Sequence, residues 1–227
     1  MPKSPGLWNS TVGKKIVMAG SGILLVGFVL GHMAGNLKVF LGAAAFNHYA
    51  EWLREVGEPA LPRGVALWLV RALLLAAVLV HIVAAWQLAR RSRAARPTGY
   101  QKEQALSFSY ASRTMRWGGV ILLLFIVYHL LHFTIGTVHP DFDRADPFRN
   151  LVIGFSNPLI VLVYAVAMGA LCFHLYHGVW SVFQTLGFVG EHRGGWRRSL
   201  AAAIALGLFA GFMSVPLAVT FGLVGLP

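Results

Sequence analysis

The chain has 227 residues, 57% of them apolar and only 12% charged, with a mean hydropathy of +0.65 and a formal net charge of +11. An ordinary soluble domain is about a quarter charged, and a globule of this size has too little interior to hide so apolar a chain. That balance excludes a soluble enzyme, a disordered tail and a disulfide-stapled secreted domain, and a single cysteine, Cys172, leaves no internal disulfide and no CxxC metal site. An integral membrane protein, with the lipid bilayer as its surroundings, is the class that remains.

Five apolar stretches each approach the roughly 20 residues a helix needs to cross a bilayer. They fall at 16–35, 65–88, 117–138, 158–183 and 200–226, within one membrane domain spanning 1–227. Helices are expected because a backbone in lipid must satisfy its hydrogen bonds within the segment. The first stretch is preceded by lysines and followed by Ala43-Ala44-Ala45, as a signal peptide would be, but it is too long for a signal core and reads as a retained span. Pro97-Thr98-Gly99 and Pro147 fall in connecting loops. Asn157-Pro158 reads as a helix cap followed by proline at the first helical position, and Pro216 is a candidate kink in the last span. No internal repeat of the transporter kind is present.

Charge predicts the orientation. With the N-terminus in the cytoplasm, the inner segments hold Lys3, Lys14, Lys15, Arg90, Arg91, Arg93, Arg96, Lys102, Arg113, Arg116, Arg193, Arg197 and Arg198. The opposite side holds Lys38, Arg54, Arg63, Arg144 and Arg149, together with six of the eight acids. This is a positive-inside pattern, so the high net charge expresses topology and not nucleic-acid binding.

Six of the nine histidines, His32, His81, His129, His132, His174 and His177, lie within the expected spans. Ionisable groups at membrane depth are costly and are functional candidates by default; the plainer alternative is a neutral imidazole hydrogen-bonded across helices. Zinc is disfavoured, since no span offers a cysteine partner or a carboxylate. Haem b needs two imidazoles from different helices at matching depth. His81 and His174 each lie about 24 Å from the outer ends of their spans, at 1.5 Å per residue. His32 lies near the outer end of the first span, and both His129 and His132 lie in the outer half of the third. Depth alone slightly prefers His132 over His129 as its partner. Gly27, Gly31 and Gly35 repeat every fourth residue beside His32, which suits close approach of a helix or a macrocycle.

The first span carries Gly31-His32-Met33-Ala34-Gly35-Asn36, and the second carries Val80-His81. The third opens with Ser112-Arg113-Thr114-Met115-Arg116-Trp117-Gly118-Gly119 and runs to Tyr128-His129. The fourth runs from Pro158 through Tyr164 to Phe173-His174 and Gly178-Val179-Trp180-Ser181. Taken in order, and over nearly the whole chain, these segments resemble the five-helix, dihaem cytochrome b membrane anchors of bacterial succinate dehydrogenase and fumarate reductase, the b558 type.

The resemblance implies an all-α membrane fold with helices 1–4 bundled around two haem b groups, in the bacterial cytoplasmic membrane. It also implies a subunit without a succinate-oxidising site of its own. Such a subunit holds a flavoprotein and an iron–sulfur protein on the cytoplasmic face and carries electrons to or from a quinone, with menaquinone favoured. An Arg-x-x-Gly stretch at the family's spacing selects His129 over His132, and the fourth-span motif selects His174 over His177. Carried over, His81 and His174 ligate the proximal haem and His32 and His129 the distal haem, with His132 and His177 as the alternative ligands.

Asn47 and His48, in Phe46-Asn47-His48-Tyr49, are candidate quinone contacts, against the plainer reading of a surface amphipathic turn. Arg71, roughly 9 Å inside the second span, either meets a distal propionate or snorkels outward. Lys15, Arg113 and Arg116 are candidate proximal propionate partners or simply mark the positive-inside edge. All eight carboxylates lie outside the spans, which predicts that no buried glutamate relays protons. The rival readings are a quinone-reactive cytochrome b anchor of a hydrogenase or formate dehydrogenase and, from another class, a histidine-using proton-coupled transporter.

Overall fold

The computed structural model describes residues 6, 8, 10–95, 108–187 and 194–226. Seven α-helices make up the described fold: α1 (Thr11–Asn36), α2 (Ala43–Glu55), α3 (Val65–Ala94), α4 (Phe108–His129), α5 (Pro147–Phe155), α6 (Pro158–Thr185) and α7 (Gly194–Thr220). Five of these helices, α1, α3, α4, α6 and α7, are long and apolar enough to cross a membrane, and the protein is an all-α integral membrane protein. α1 continues as a 3-10 turn to Leu41, and α4 as a π turn over Leu130–Ile135.

Local chemistry sets the helix ends. Ser10 Oγ accepts from the Gly13 amide at 2.8 Å, starting α1 ahead of the apolar stretch. Asp146 and Asn157 cap α5 and α6, each followed by proline at the first turn, where a missing N–H costs nothing. α7 stops at Thr220 and does not run on to 226: Gly222 takes a left-handed φ of +70° and the Leu223 amide turns back to the Ala218 carbonyl at 2.8 Å. Pro216 lies inside α7 with the helix continuing past it.

Three pairings organise the bundle: α6 with α7, α1 with α3, and α4 with α6, with α1 also touching α6. The arginines and lysines gather where α1 begins and α3 ends; there Lys14 Nζ donates to Gln87 Oε1 and Arg91 reaches Thr11. At the opposite end, Arg54 and Arg63 pair with Glu51 and Arg149 with Asp141. We refer to these as the basic and the acidic ends.

The main core sits at the acidic end, where α2 and α5 fold against α6 and α7 around Phe46, Phe148, Phe155, Tyr164 and Val215. α3, by contrast, buries only Ala77 and Ala84 and packs chiefly on α1. Its outer surface carries exposed Leu75, Leu79, Trp68 and Trp86. The two tryptophans stand about 27 Å apart along the axis, close to the roughly 30 Å hydrocarbon thickness. Arg71 stacks over Trp68 at 4.8 Å and Arg90 over Trp86 at 4.9 Å.

Candidate functional site

The bundle brings four of the six membrane histidines together as two pairs, each drawn from two helices. His32 of α1 lies beside His129 at the end of α4, with ring centroids 5.8 Å apart and planes crossing at 81°. His81 of α3 lies beside His174 of α6, at 6.3 Å and 60°. Two helices give the axial offset between the pairs independently. Ser21, which touches His81, precedes His32 by about 16 Å along α1, and Tyr164, which touches His129, precedes His174 by about 15 Å along α6. The pairs are therefore stacked along the bundle, His81–His174 toward the basic end and His32–His129 toward the acidic end.

One ring in each pair is held by a hydroxyl from a neighbouring helix. Ser21 Oγ donates to the Val17 carbonyl at 2.8 Å, so its oxygen is left to accept from Nδ1–H of His81 at 3.1 Å. With the Ser21 proton on that carbonyl, His81 donates from Nδ1 and its Nε2 carries the lone pair, the form that binds a metal. Gly22 helps: a Cβ there would meet the His81 ring at 3.5 Å. His129 Nδ1 lies 3.2 Å from Tyr164 Oη. His32 is sandwiched by rings instead, stacked on Phe28 at 5.4 Å and tilted against Phe212 at 5.9 Å. His174 Nδ1 is buried without a hydrogen-bond partner.

His132 occupies a different setting. It is fully buried in the π turn, with Nδ1 3.0 Å from Tyr164 Oη, its ring 4.1 Å from Phe133 and 5.0 Å from His139, on which it stacks. Its Nε2 faces Gly154 and has no partner; a buried polar atom left unmet costs about 1–3 kcal/mol. His177 lies one turn beyond His174, half-buried against Tyr176.

The remaining sequence candidates scatter. Asn47 lies in α2, in a regular helix and not a turn, and both atoms of its amide are engaged: Nδ2 donates to Asp146 Oδ1 at 2.8 Å and Oδ1 accepts from the Phe148 amide at 2.9 Å. It joins α2 to α5. His48 is exposed. Arg71, besides covering Trp68, lines a cleft of about 470 Å³ shared with Phe133, Phe142, Arg144 and Asn150. Lys15 and Arg116 are exposed at the basic end, and the side chain of Arg113 lies outside the described residues. The glycine stripe beside His32 is not a packing seam along its length: Gly35 is covered by Tyr49, but nothing stands within 4 Å of where a Cβ would sit at Gly27 or Gly31.

This donor set suits a metal held between two imidazoles. Metal–imidazole bonds of about 2 Å on either side put ring centroids roughly 6 Å apart, which is the spacing in both pairs. Among the described residues there is no cluster of three or more His, Cys, Asp or Glu side chains, the arrangement a bare metal ion would ask of the protein. Two donors per site are what a macrocycle, which supplies the equatorial nitrogens itself, requires.

Sequence reading did not single out Ser21, Gly22, Tyr164 or His139 as functional. The signal available for Ser21 and Tyr164 was a hydroxyl inside an apolar span, which needs a partner on a neighbouring helix.

Residues 93–213 match the family model of the succinate dehydrogenase/fumarate reductase transmembrane subunit. That stretch contains His129 and His174, while His32 and His81 precede it. Comparison with curated proteins and with solved structures finds no match.

Proposed function

The chain belongs to the succinate dehydrogenase/fumarate reductase transmembrane subunit family, and from that premise we propose that it is the dihaem, quinone-reacting anchor of such a complex. Membership makes it a membrane subunit of an electron-transport complex that works beside other subunits. The finer reading is that a flavoprotein and an iron–sulfur protein dock on the basic end, in the cytoplasm, and that a membrane quinone reacts near the acidic end. Two b-type haems would supply the one-electron carriers between them.

The observation that carries this reading is the stacking of two inter-helical histidine pairs along one bundle, with centroid spacings of 6.3 and 5.8 Å. His81 and His174 would hold the haem nearer the iron–sulfur subunit, and His32 and His129 the one nearer the quinone. Ser21 keeps the His81 ring in its metal-binding tautomer. Phe28 and Phe212 keep His32 from turning, and apolar α4 and α6 exclude water from both pairs. Arg71 would meet a propionate of the outer haem; its position in the cleft beside Phe133, whose ring touches His129 at 5.9 Å, supports this. Lys15, Arg113 and Arg116 would mark the cytoplasmic boundary.

The test is a pyridine haemochrome assay against protein concentration, on the wild type and on His32→Ala, His81→Ala, His129→Ala and His174→Ala. Two haems b per chain, with one lost in each variant, is the expected result. A folded wild type without haem would overturn the reading, and losses confined to His132→Ala or His177→Ala would reassign the ligands.

A further inference from the structure

We propose that Tyr164 and His132 form a buried hydrogen-bonded chain that grips His129 by its Nδ1 and sets the electron affinity of the outer haem independently of the inner one. The proposal rests on the reading of His129 as an iron ligand. Under it Tyr164 and His132 are positioning residues and bind no metal.

The geometry starts from one hydroxyl with two histidine neighbours. Tyr164 Oη lies 3.2 Å from His129 Nδ1 and 3.0 Å from His132 Nδ1, and has a single proton to give. It can therefore donate to only one of them, and the other must donate to it. An imidazole bound to iron through Nε2 carries its proton on Nδ1, so His129 is the donor. Tyr164 then donates to His132 Nδ1, which puts the His132 proton on Nε2, the atom facing Gly154.

The far end of the chain is tightly packed. His132 is fully buried, wedged between Phe133 and His139. His139 is fixed in turn: its Nδ1 accepts from the Asp141 amide at 3.1 Å, leaving Nε2–H to donate to the Asn150 carbonyl at 2.8 Å. Room for the His132 ring exists because residue 154 is glycine; a Cβ there would lie 3.0 Å from His132 Cε1. These contacts seat His132 away from His32 and with its Nδ1 on Tyr164.

An acceptor on the distal nitrogen of a ligating histidine raises the basicity of the ring and favours the oxidised metal. Tyr164 is a strengthened acceptor, because its own proton is drawn toward a histidine lone pair and chained hydrogen bonds polarise one another. Ser21, the counterpart at His81, spends its proton on a backbone carbonyl of its own helix. The two haems are thus tuned by separate hydroxyls on separate helices.

The experiment is potentiometric titration of the intact complex, followed through the haem absorption bands and the low-spin resonance signals. The outer haem is identified as the one lost in His129→Ala. Tyr164→Phe should retain both haems and raise the midpoint of the outer one alone, by about a tenfold change in its preference for the oxidised state, which for one electron is about 59 mV. Ser21→Ala should move the inner haem alone. His132→Phe, which removes the acceptor beyond Tyr164, should give a smaller shift of the outer haem in the same direction. Unchanged potentials in Tyr164→Phe, or a shift of the inner haem, would overturn the proposal. Should Tyr164→Phe not assemble, an unshifted outer haem in His132→Phe overturns it equally. A wild type without two haems would instead fail the reading of the ligands, on which this one stands.

Discussion

Around His129 the chain builds a closed scaffold, in which α2, α5 and the end of α7 bring Phe46, Phe148, Phe155 and Val215 into one buried cluster with Tyr164. Around His81 it supplies Ser21, Gly22 and the two buried alanines of α3. The acidic end owes its scaffold to the connections between α1 and α3 and between α4 and α6, which fold into short helices and pack back on the bundle. One site is therefore held by many contacts spread over several elements, the other by fewer contacts among α1, α3 and α6. Defects placed far from the histidines should reach the first site and spare the second.

The harshest way to break that contrast is Phe155→Ala. Phe155 is 5% exposed and meets Tyr164 edge-on at 4.9 Å. Truncating a buried phenylalanine typically costs about 3–5 kcal/mol. Thermal unfolding in detergent should fall accordingly, and on the proposed dihaem reading haem quantitation should show the outer haem depleted first; equal loss of both would end the distinction between the sites. Next in size is Asn47→Leu. It removes both hydrogen bonds that Asn47 makes toward α5, leaves the Phe148 amide unmet and should cost about 1–3 kcal/mol, with hydrogen exchange accelerating in 43–55 and 147–155. Quinone affinity altered without that loosening would return Asn47 to the quinone site.

A finer probe is Gly154→Ala. The helix gains from alanine, by up to about 1 kcal/mol, but the new Cβ would press on a tightly packed His132, and overpacking costs about 1–3 kcal/mol. A net loss of about 1 kcal/mol is expected in thermal scans, together with, on the proposed dihaem reading, a shift of the outer haem and none of the inner. A gain in stability would mean that the His132 ring can yield.

The smallest effect is one of acid. Burial alone would raise the Asp146 carboxyl, but the Arg149 amide, the Asn47 amide, the Arg149 guanidinium and the Phe148 amide together hold it below its ordinary value of 3.8. A carboxyl whose pKa falls on folding stabilises the fold fully above its unfolded value and loses that contribution as pH drops through the folded one. Asp146→Asn should therefore lower the unfolding midpoint more at pH 7 than at pH 3. An equal loss at both would show that the charge is irrelevant and that only the cap matters.

Much of this architecture is legible in the sequence, because lipid demands long apolar helices and singles out a histidine inside one as an expense. The pairing of His81 with His174 follows from counting residues from each span's outer end, since straight helices preserve depth. The choice between His129 and His132 does not follow from such counting. A π turn begins at Leu130, and a wider turn rotates His132 away from where a 3.6-residue period would put it; no residue pattern announces that turn. α5 carried a readable signature, Asp146 capping and Pro147 opening it, yet its brevity made 147 look like loop. The Tyr164 chain was illegible for a different reason: it depends on the register between α4 and α6, which is a property of packing and not of either segment.

The aromatic posts on α3 have a consequence for where His81 comes to rest. Trp68 and Trp86, each braced by an arginine, stand where tryptophans favour a water–lipid boundary, on a helix that leans on α1 for most of its support. Its vertical position is accordingly negotiated with the membrane as much as with the protein. A bilayer of mismatched thickness tilts or slides such a helix at modest cost, carrying His81 with it, while His174 stays anchored in the better-packed α6. A change of lipid thickness is therefore expected to move His81 against His174 more than it moves His32 against His129.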